Sequence, residues 1–332
     1  MKLGMDHIGK VTDEKLKFLQ QLGVEGVMAT PDTDQEDRGY FSIEELQGLK
    51  NKVESYGMKL EVVSPFQSRW NWAFKWMLGL PGRDEQIENC LKMIRSMGNI
   101  GIPIFTYNMH ALRFYRTARN APARGGALAT SFDVDLAKDA PLMQGGNIDT
   151  SRIPESHRHP VGDEEMWQNL TYFLKAVVPV AEQAGVKMGL HPDDPPIPEI
   201  AGVARIMRSP EAFRRAIEIV PSESNGLLFC QGCFTEMGCD VFDEIRYFGS
   251  RNKIFWVHFR NVVGTAEKFT EAFPDQGRLD MFEAMKTYAE IGYDSYLAPD
   301  HKLGLVEDTD WGHRYWAYAL GYMRSLMQAA SS

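Results

Sequence analysis

The chain is expected to fold as an α/β protein, a single (β/α)₈ barrel spanning residues 1–332, with a long insertion after strand four. Three observations predict this. Short β-like runs alternate with helical stretches eight times. No Gly-rich dinucleotide fingerprint follows the first strand, where a doubly wound open sheet would carry one. At 332 residues the length suits one α/β barrel and leaves room for a large core.

The elements follow in order. Strand one is KLGMDHIG from Lys2, and a helix from about Asp13 to Leu22 takes Thr12 as N-cap. Strand two is VEGVMAT, Val24 to Thr30. The next helix opens at Ser42, whose SIEE run with Glu45 forms a capping-box pattern. Strand three is KLEVVSP from Lys59. An aromatic segment, RWNWAFKW, follows; it reads either as an apolar lid or as core or dimer packing. A helix from about Asp84 to Met97 leads to strand four, IPIFTYN, ending at Asn108.

From His110 to about Gly162 the rhythm breaks into Gly, Ala, Pro, Asp and Arg without a sustained period. A connection this long is expected to be functional or disordered, and 110–162 is read as a lid or an oligomer contact. A helix from Glu164 to Ala184 and strand five, VKMGLHP, restore order. The Pro-rich loop DDPPIPEI, a helix near Pro210 to Ile219 and strand six, NGLLFCQG, come next. A helix near Val241 to Phe248 precedes strand seven, KIFWVHFRN (Lys253 to Asn261). The loop KFTEAFPDQGRLD and a helix over Leu279 to Ile291 lead to strand eight, DSYLAPDH, and a last helix runs from Asp310 to Gln328.

Composition narrows the function. A formal net charge of −9 with no Lys/Arg cluster argues against nucleic acid as the partner. The start, MKLGMDHIGK, lacks a long apolar stretch and no run reaches membrane-spanning length, so a cytoplasmic location without a membrane partner is expected. Cys90, Cys230, Cys233 and Cys239 do not suggest a disulfide framework in a chain this large. Cys230 and Cys233 form a lone C-x-x-C pair, without the second pair that a zinc ribbon needs. Cys233 reads as a small loop residue and Cys239 as packing.

In such barrels the active site forms at the carboxyl ends of the strands. Strand five ends in His191, strand six in Cys230, strand seven in His258, and strand eight in Asp300 followed by His301. Any one of these alone more often packs or hydrogen-bonds than binds metal. Four consecutive strands delivering His, Cys, His and Asp to one rim predict a metal site. Two imidazoles, a thiolate and a carboxylate suit Zn²⁺, Fe²⁺ or Mn²⁺. Arg260 shares the face of His258 and offers a fork for a carboxylate, or a partner for an acidic loop residue. Tyr107 and Asn108 could bond sugar hydroxyls. Asp193 and Asp194 read equally as ligand-orienting or turn residues. His301 is the natural proton-transfer group. Tyr315 could reach the mouth, although WGHRYWAY also reads as helix packing. His7 is structural or a substrate contact, and His110, His157, His159 and His313 receive no role.

The motifs HPDDPP (His191 to Pro196), SNGLLFCQG (Ser224 to Gly232), HFRNV from His258, GRLDM from Gly277 and APDH (Ala298 to His301) resemble those of the D-mannonate dehydratase family. LGLPGRD from Leu78 and AVVPVAEQAGVKM running into His191 fit as well. The resemblance implies a xylose-isomerase-like TIM barrel, usually a homodimer or higher homo-oligomer, binding Mn²⁺ or Fe²⁺. It implies a dehydratase of hexuronate catabolism that converts D-mannonate to 2-keto-3-deoxy-D-gluconate. His191, Cys230, His258 and Asp300 match the family's metal ligands, His301 its catalytic histidine and Arg260 an active-site arginine. The family's tyrosine aligns with Tyr315 or Trp316. The chain departs at SPFQSRW after strand three, at Phe269–Thr270–Glu271 and at the FYRT run from Phe114 to Thr117. These are substrate-side positions. A related aldonate, another sugar isomerase, epimerase or lyase reaction, and a non-catalytic sugar-acid-binding protein therefore stay open.

Overall fold

A computed structural model describes residues 1–143 and 152–331. Fourteen strands occur among them. The first seven are β1 (Lys2–Met5), β2 (Gly26–Met28), β3 (Lys59–Val63), β4 (Ile104–Tyr107), β5 (Ala118–Pro122), β6 (Leu128–Asp133) and β7 (Lys187–Leu190). The rest are β8 (Glu199–Ile200), β9 (Val203–Ala204), β10 (Asn225–Cys230), β11 (Ile254–His258), β12 (Val262–Thr265), β13 (Lys268–Glu271) and β14 (Tyr296–Ala298).

Eight strands close a parallel barrel in the order β1-β14-β11-β10-β7-β4-β3-β2, and these are the eight that the periodicity predicts. Met28, Val62, Ile104, Leu228, Trp256 and Tyr296 pack together in one buried cluster. Two glycines make room for its aromatic rings. A Cβ on Gly26 would stand 2.4 Å from the Tyr296 ring, and one on Gly4 would stand 2.9 Å from Trp256. The larger hydrophobic cluster includes Leu16, Leu46, Ile94, Phe173, Phe213, Ile245, Met285 and Leu320, the apolar faces of the surrounding helices. The predicted caps form: Thr12 accepts from the backbone of Lys15, and Ser42 and Glu45 exchange both bonds of a capping box.

In RWNWAFKW, Trp72, Phe74 and Trp76 are buried, the core packing that was one of its readings, and Trp76 stacks on Phe173 at 3.9 Å between centroids. The 110–162 segment is not structureless, although 144–151 lie outside the described residues. β5 and β6 from it join β12 and β13 in an antiparallel sheet of order β12-β13-β6-β5. Phe132, Phe269, Val262, Ile197 and Ile200 give this second sheet a small core of its own. The sheet carries Glu271, the last residue of β13, into the site described next.

Candidate metal centre and its charge network

The parallel register sets the height of the rim donors. Cys230 pairs with His258, and His258 with Ala298, two residues before Asp300. His191 follows β7, with its backbone N–H bonded to the carbonyl of Tyr107 at 2.8 Å. One ligand atom from each of His191, Cys230 and His258 lies within 4.8 Å of the others. Asp300 Oδ2 stands 3.5 Å from His258 Nδ1 and 3.8 Å from Cys230 Sγ. His191, Cys230 and His258 thus form one group of metal-type donors, and Asp300 meets that group at His258 and Cys230.

Their surroundings favour a cation as well. Both nitrogens of buried His258 lack a hydrogen-bond partner, as does Asp6 Oδ2, only 2.9 Å from His258 Nε2. An orphaned Nδ1 facing a thiol and a carboxylate is what an imidazole ligand presents, with Asp6 behind it to orient the ring. His191 Nδ1 donates to the carbonyl of Pro192 at 2.7 Å, which leaves Nε2 as the lone-pair nitrogen. Burial opposes ionisation of Cys230, but contacts with Cys233, His191, His258 and Arg260 hold its thiol well below the ordinary range. Burial likewise opposes a charged Asp300, yet His301, His258 and His7 keep it ionised.

Behind the rim lies a buried ion network. Arg116 grips Asp194 through two bonds of 2.7 and 2.8 Å and reaches Glu271 at 2.8 Å. Arg260 takes Glu271 through Nε and Nη2 at 2.8 and 2.6 Å, Glu236 at 2.7 Å and Asp194 at 3.3 Å. Against burial, Arg260 and then His301 pull Glu271 down to about 2. Burial first, and then the charge of Asp194 and Glu271, pushes Glu236 upward despite its contact with Arg260. Two guanidinium groups thus hold three carboxyl groups, Asp194, Glu236 and Glu271, in one buried network.

His301 joins the network to the cavity. Its Nδ1 lies 2.8 Å from Glu271 Oε1, its ring stacks on Phe114, and its edge faces a cavity of about 710 Å³. That volume is ample for a sugar acid. His7, Asn108, His191, His258, Asp300 and His301 all line it. His7 bonds Asp300 Oδ1 at 2.7 Å, so it both supports a ligand and forms part of the wall.

Three expectations are corrected. Arg260 does not line the cavity: three acids already occupy its fork, so it orders the network instead of clasping a substrate carboxylate. Tyr107 contributes to the wall, but its ring packs against Phe173 at 5.3 Å and its hydroxyl is buried without a partner. Strand alternation turns it toward the helices, so it offers no hydroxyl to a sugar. Tyr315 lies behind the wall against Phe273 and Trp316, and Trp316 is the one that reaches the cavity. Burial, then the charges of Glu271 and Asp300, push the Tyr315 phenol above its ordinary range.

Residues outside the expected set complete the site: Asp6, Arg116, Glu236 and Glu271. Extending the strand-end rule to strand one, which ends in Asp6 before His7, finds the first. Glu271 and Arg116 sit in runs singled out only as departures from a family pattern.

Comparison with known proteins gives a consistent result. A family model described as D-mannonate dehydratase matches residues 1–332. The mannonate dehydratase of Thermotoga maritima is 32% identical over 357 aligned positions, covering 99% of this chain and 98% of that one. The Streptococcus pneumoniae enzyme is 32% identical over 319 positions, covering 91% and 85%. Among solved structures, mannonate dehydratase from Streptococcus suis serotype 2 matches with a TM-score of 0.85 at 29% identity, covering 99% and 95%. D-psicose 3-epimerase from Clostridium cellulolyticum H10, at a TM-score of 0.63 and 13% identity, shares the fold.

Proposed function

The chain belongs to the D-mannonate dehydratase family, and from that membership we propose that it removes water from D-mannonate to give 2-keto-3-deoxy-D-gluconate. Membership makes it a hydro-lyase of sugar acids in a metal-dependent family. We assign the ligands as His191, Cys230, His258 and Asp300, holding Mn²⁺ or Fe²⁺, with Zn²⁺ as the competitor that the thiolate would accept. When bound there, such an ion would supply Lewis acidity toward the oxygens of a sugar acid.

The protein's own groups handle the protons. Nε2 of His301 takes the C2 proton, while Glu271 on Nδ1 fixes the ring and stabilises the imidazolium that results. Tyr315 lies behind the cavity wall and takes no proton step; the departing 3-hydroxyl takes its proton from a group that faces the cavity. Arg260 positions Glu271, and Asn108 on the cavity wall is the nearest match to a hydroxyl-binding residue. The observation that carries this reading is the group of His191, Cys230 and His258, with Asp300 against the last two, beside a carboxylate-oriented histidine. Incubating the Mn²⁺- or Fe²⁺-loaded protein with D-mannonate should produce a 2-keto-3-deoxy acid, detected by periodate–thiobarbiturate colour. Absence of product with either metal would rule the assignment out.

A second reading keeps the reaction and changes the aldonate. The substitutions at SPFQSRW, FYRT and Phe269–Thr270–Glu271 motivate it, since Arg69 and Phe114 from these runs line the cavity. A panel of epimeric aldonates and neutral sugars distinguishes the two readings by relative kcat/KM. Among the described residues no helix is long and apolar enough to cross a membrane. A homodimer or higher homo-oligomer is proposed, to be checked by light scattering on the eluted peak.

A further inference from the structure

Asp300 divides its two carboxylate oxygens between two groups of donors. Oδ2 faces His258 Nδ1 at 3.5 Å and Cys230 Sγ at 3.8 Å, in the metal centre assigned above. Oδ1 turns to Nε2 of His7 at 2.7 Å and to Nε2 of His301 at 3.7 Å. His7, Asp300 and His301 each offer one ligand atom, and the three atoms lie within 4.8 Å of one another. The other donor groups among the described residues are already engaged. Asp194–Glu271–His301 and Asp194–Cys233–Glu236 hold Arg116 or Arg260, and Asp6–His258–Asp300 shares His258 with the first ion.

All three residues line the cavity, so water can complete the coordination of an ion held between them. Glu271 takes Nδ1 of His301 at 2.8 Å, which leaves Nε2 as the nitrogen with a lone pair. The two imidazole rings stand 5.7 Å apart between centroids. His7 is pinned from its backbone: its φ of 53° lies in the left-handed region, and its carbonyl accepts from the Trp311 indole at 3.1 Å. Asp6 adds charge of the right sign. Its buried Oδ2, without a hydrogen-bond partner, lies 3.8 Å from His7 Nε2. Two imidazoles and one carboxylate form a ligand set that binds zinc with a position left open. In taking up an ion His7 gives up its hydrogen bond to Asp300 and sheds a proton, as ligands do when metal binds.

We propose that His7, Asp300 and His301 form a second divalent-cation site, suited to Zn²⁺, and that an ion there inhibits the enzyme by capturing Nε2 of His301. Asp300 then bridges the two ions, with one oxygen to each. The binding follows from the donors alone; the inhibition rests on the dehydratase reading, in which that nitrogen takes the C2 proton. The first site has four donors, a thiolate among them, and the second has three, so the second fills after the first.

The test dialyses metal-free full-length protein against buffered Zn²⁺ and counts bound zinc by elemental analysis. The parent should hold one ion per protomer at low free zinc and two at high free zinc. His7→Asn should stop at one; if that variant unfolds or loses both ions, His301→Asn decides. A parent that saturates at one ion, or a deciding variant that still takes two, overturns the site. Turnover of D-mannonate at saturating Mn²⁺ is then followed as zinc is added, with manganese content measured in the same samples. It should fall about 100-fold or more at saturating zinc while manganese is retained. A loss of turnover only in step with loss of manganese overturns the inhibition. A parent that fails to convert mannonate with manganese bound and no zinc added overturns the dehydratase reading instead, and the zinc counts still decide the site.

Discussion

Glu271 Oε1 stands 2.8 Å from Nδ1 of His301, and the same oxygen receives Nη2 of Arg116 at 2.8 Å and Nη2 of Arg260 at 2.6 Å. One atom of the antiparallel sheet therefore ties the imidazole on the barrel rim to both buried guanidinium groups. Replacing Glu271 with Gln keeps the shape and removes the charge that balances them. Breaking a buried ion pair from one side typically costs about 3–5 kcal/mol. Glu271→Gln should lose stability of that order in urea unfolding and also lower kcat. A variant as stable as the parent would mean the network is not charge-balanced as described.

His301→Asn tests the group that this carboxylate orients. Asn fits the space and cannot take up the C2 proton, so kcat should drop about 10²- to 10⁴-fold. Manganese content and melting temperature should hold, because the His301 side chain is not among the four assigned ligands. Undiminished turnover of mannonate by this variant would remove His301 from the mechanism.

The barrel and its rim were legible in the sequence for one reason: both are local. Each barrel strand is an apolar run closed by a turn, and the strand-end rule then places His191, Cys230, His258 and Asp300 together without knowledge of any other contact. The antiparallel sheet was not legible, because β6 pairs with β13 across more than a hundred residues, as Phe132 opposite Phe269 shows. Read alone, LATSFD and KFTE are short, polar and half exposed. Arg260 shows the same limit at a single position. Alternation put it on the face of His258, but whether a substrate or Glu271 fills its fork depends on a sheet that periodicity does not reveal.

Cys230 offers a test of the ion that needs no turnover. A ligand that binds only the folded state stabilises it by about 2.7 kcal/mol at 100 times its dissociation constant. Mn²⁺ should therefore raise the parent's melting temperature, and chelation should reverse the rise. Cys230→Ser replaces a thiolate held ionised by its neighbours with a weaker donor. It should bind less metal by elemental analysis and lose most of the metal-dependent thermal shift. An unaltered shift would place the ion elsewhere.

Asp308 provides a prediction remote from the metal ligands. Its carboxylate accepts the backbone N–H groups of Thr309, Arg314 and Tyr315 at 2.8, 2.9 and 3.1 Å, capping the helix His313–Ala330 that carries Trp316 to the cavity. Burial opposes ionisation, but the bonds from Arg314, Tyr315 and Thr309 outweigh it and depress the pKa below 3.8. Because the folded value is the lower one, the stabilisation is present in full above the unfolded value and is lost as pH falls through the folded value. Asp308→Ala should cost about 1 kcal/mol near neutral pH. The gap in melting temperature between parent and variant should then narrow steadily below pH of about 4. A gap that stays constant down to the acid transition would show that the carboxylate charge contributes nothing to holding this helix.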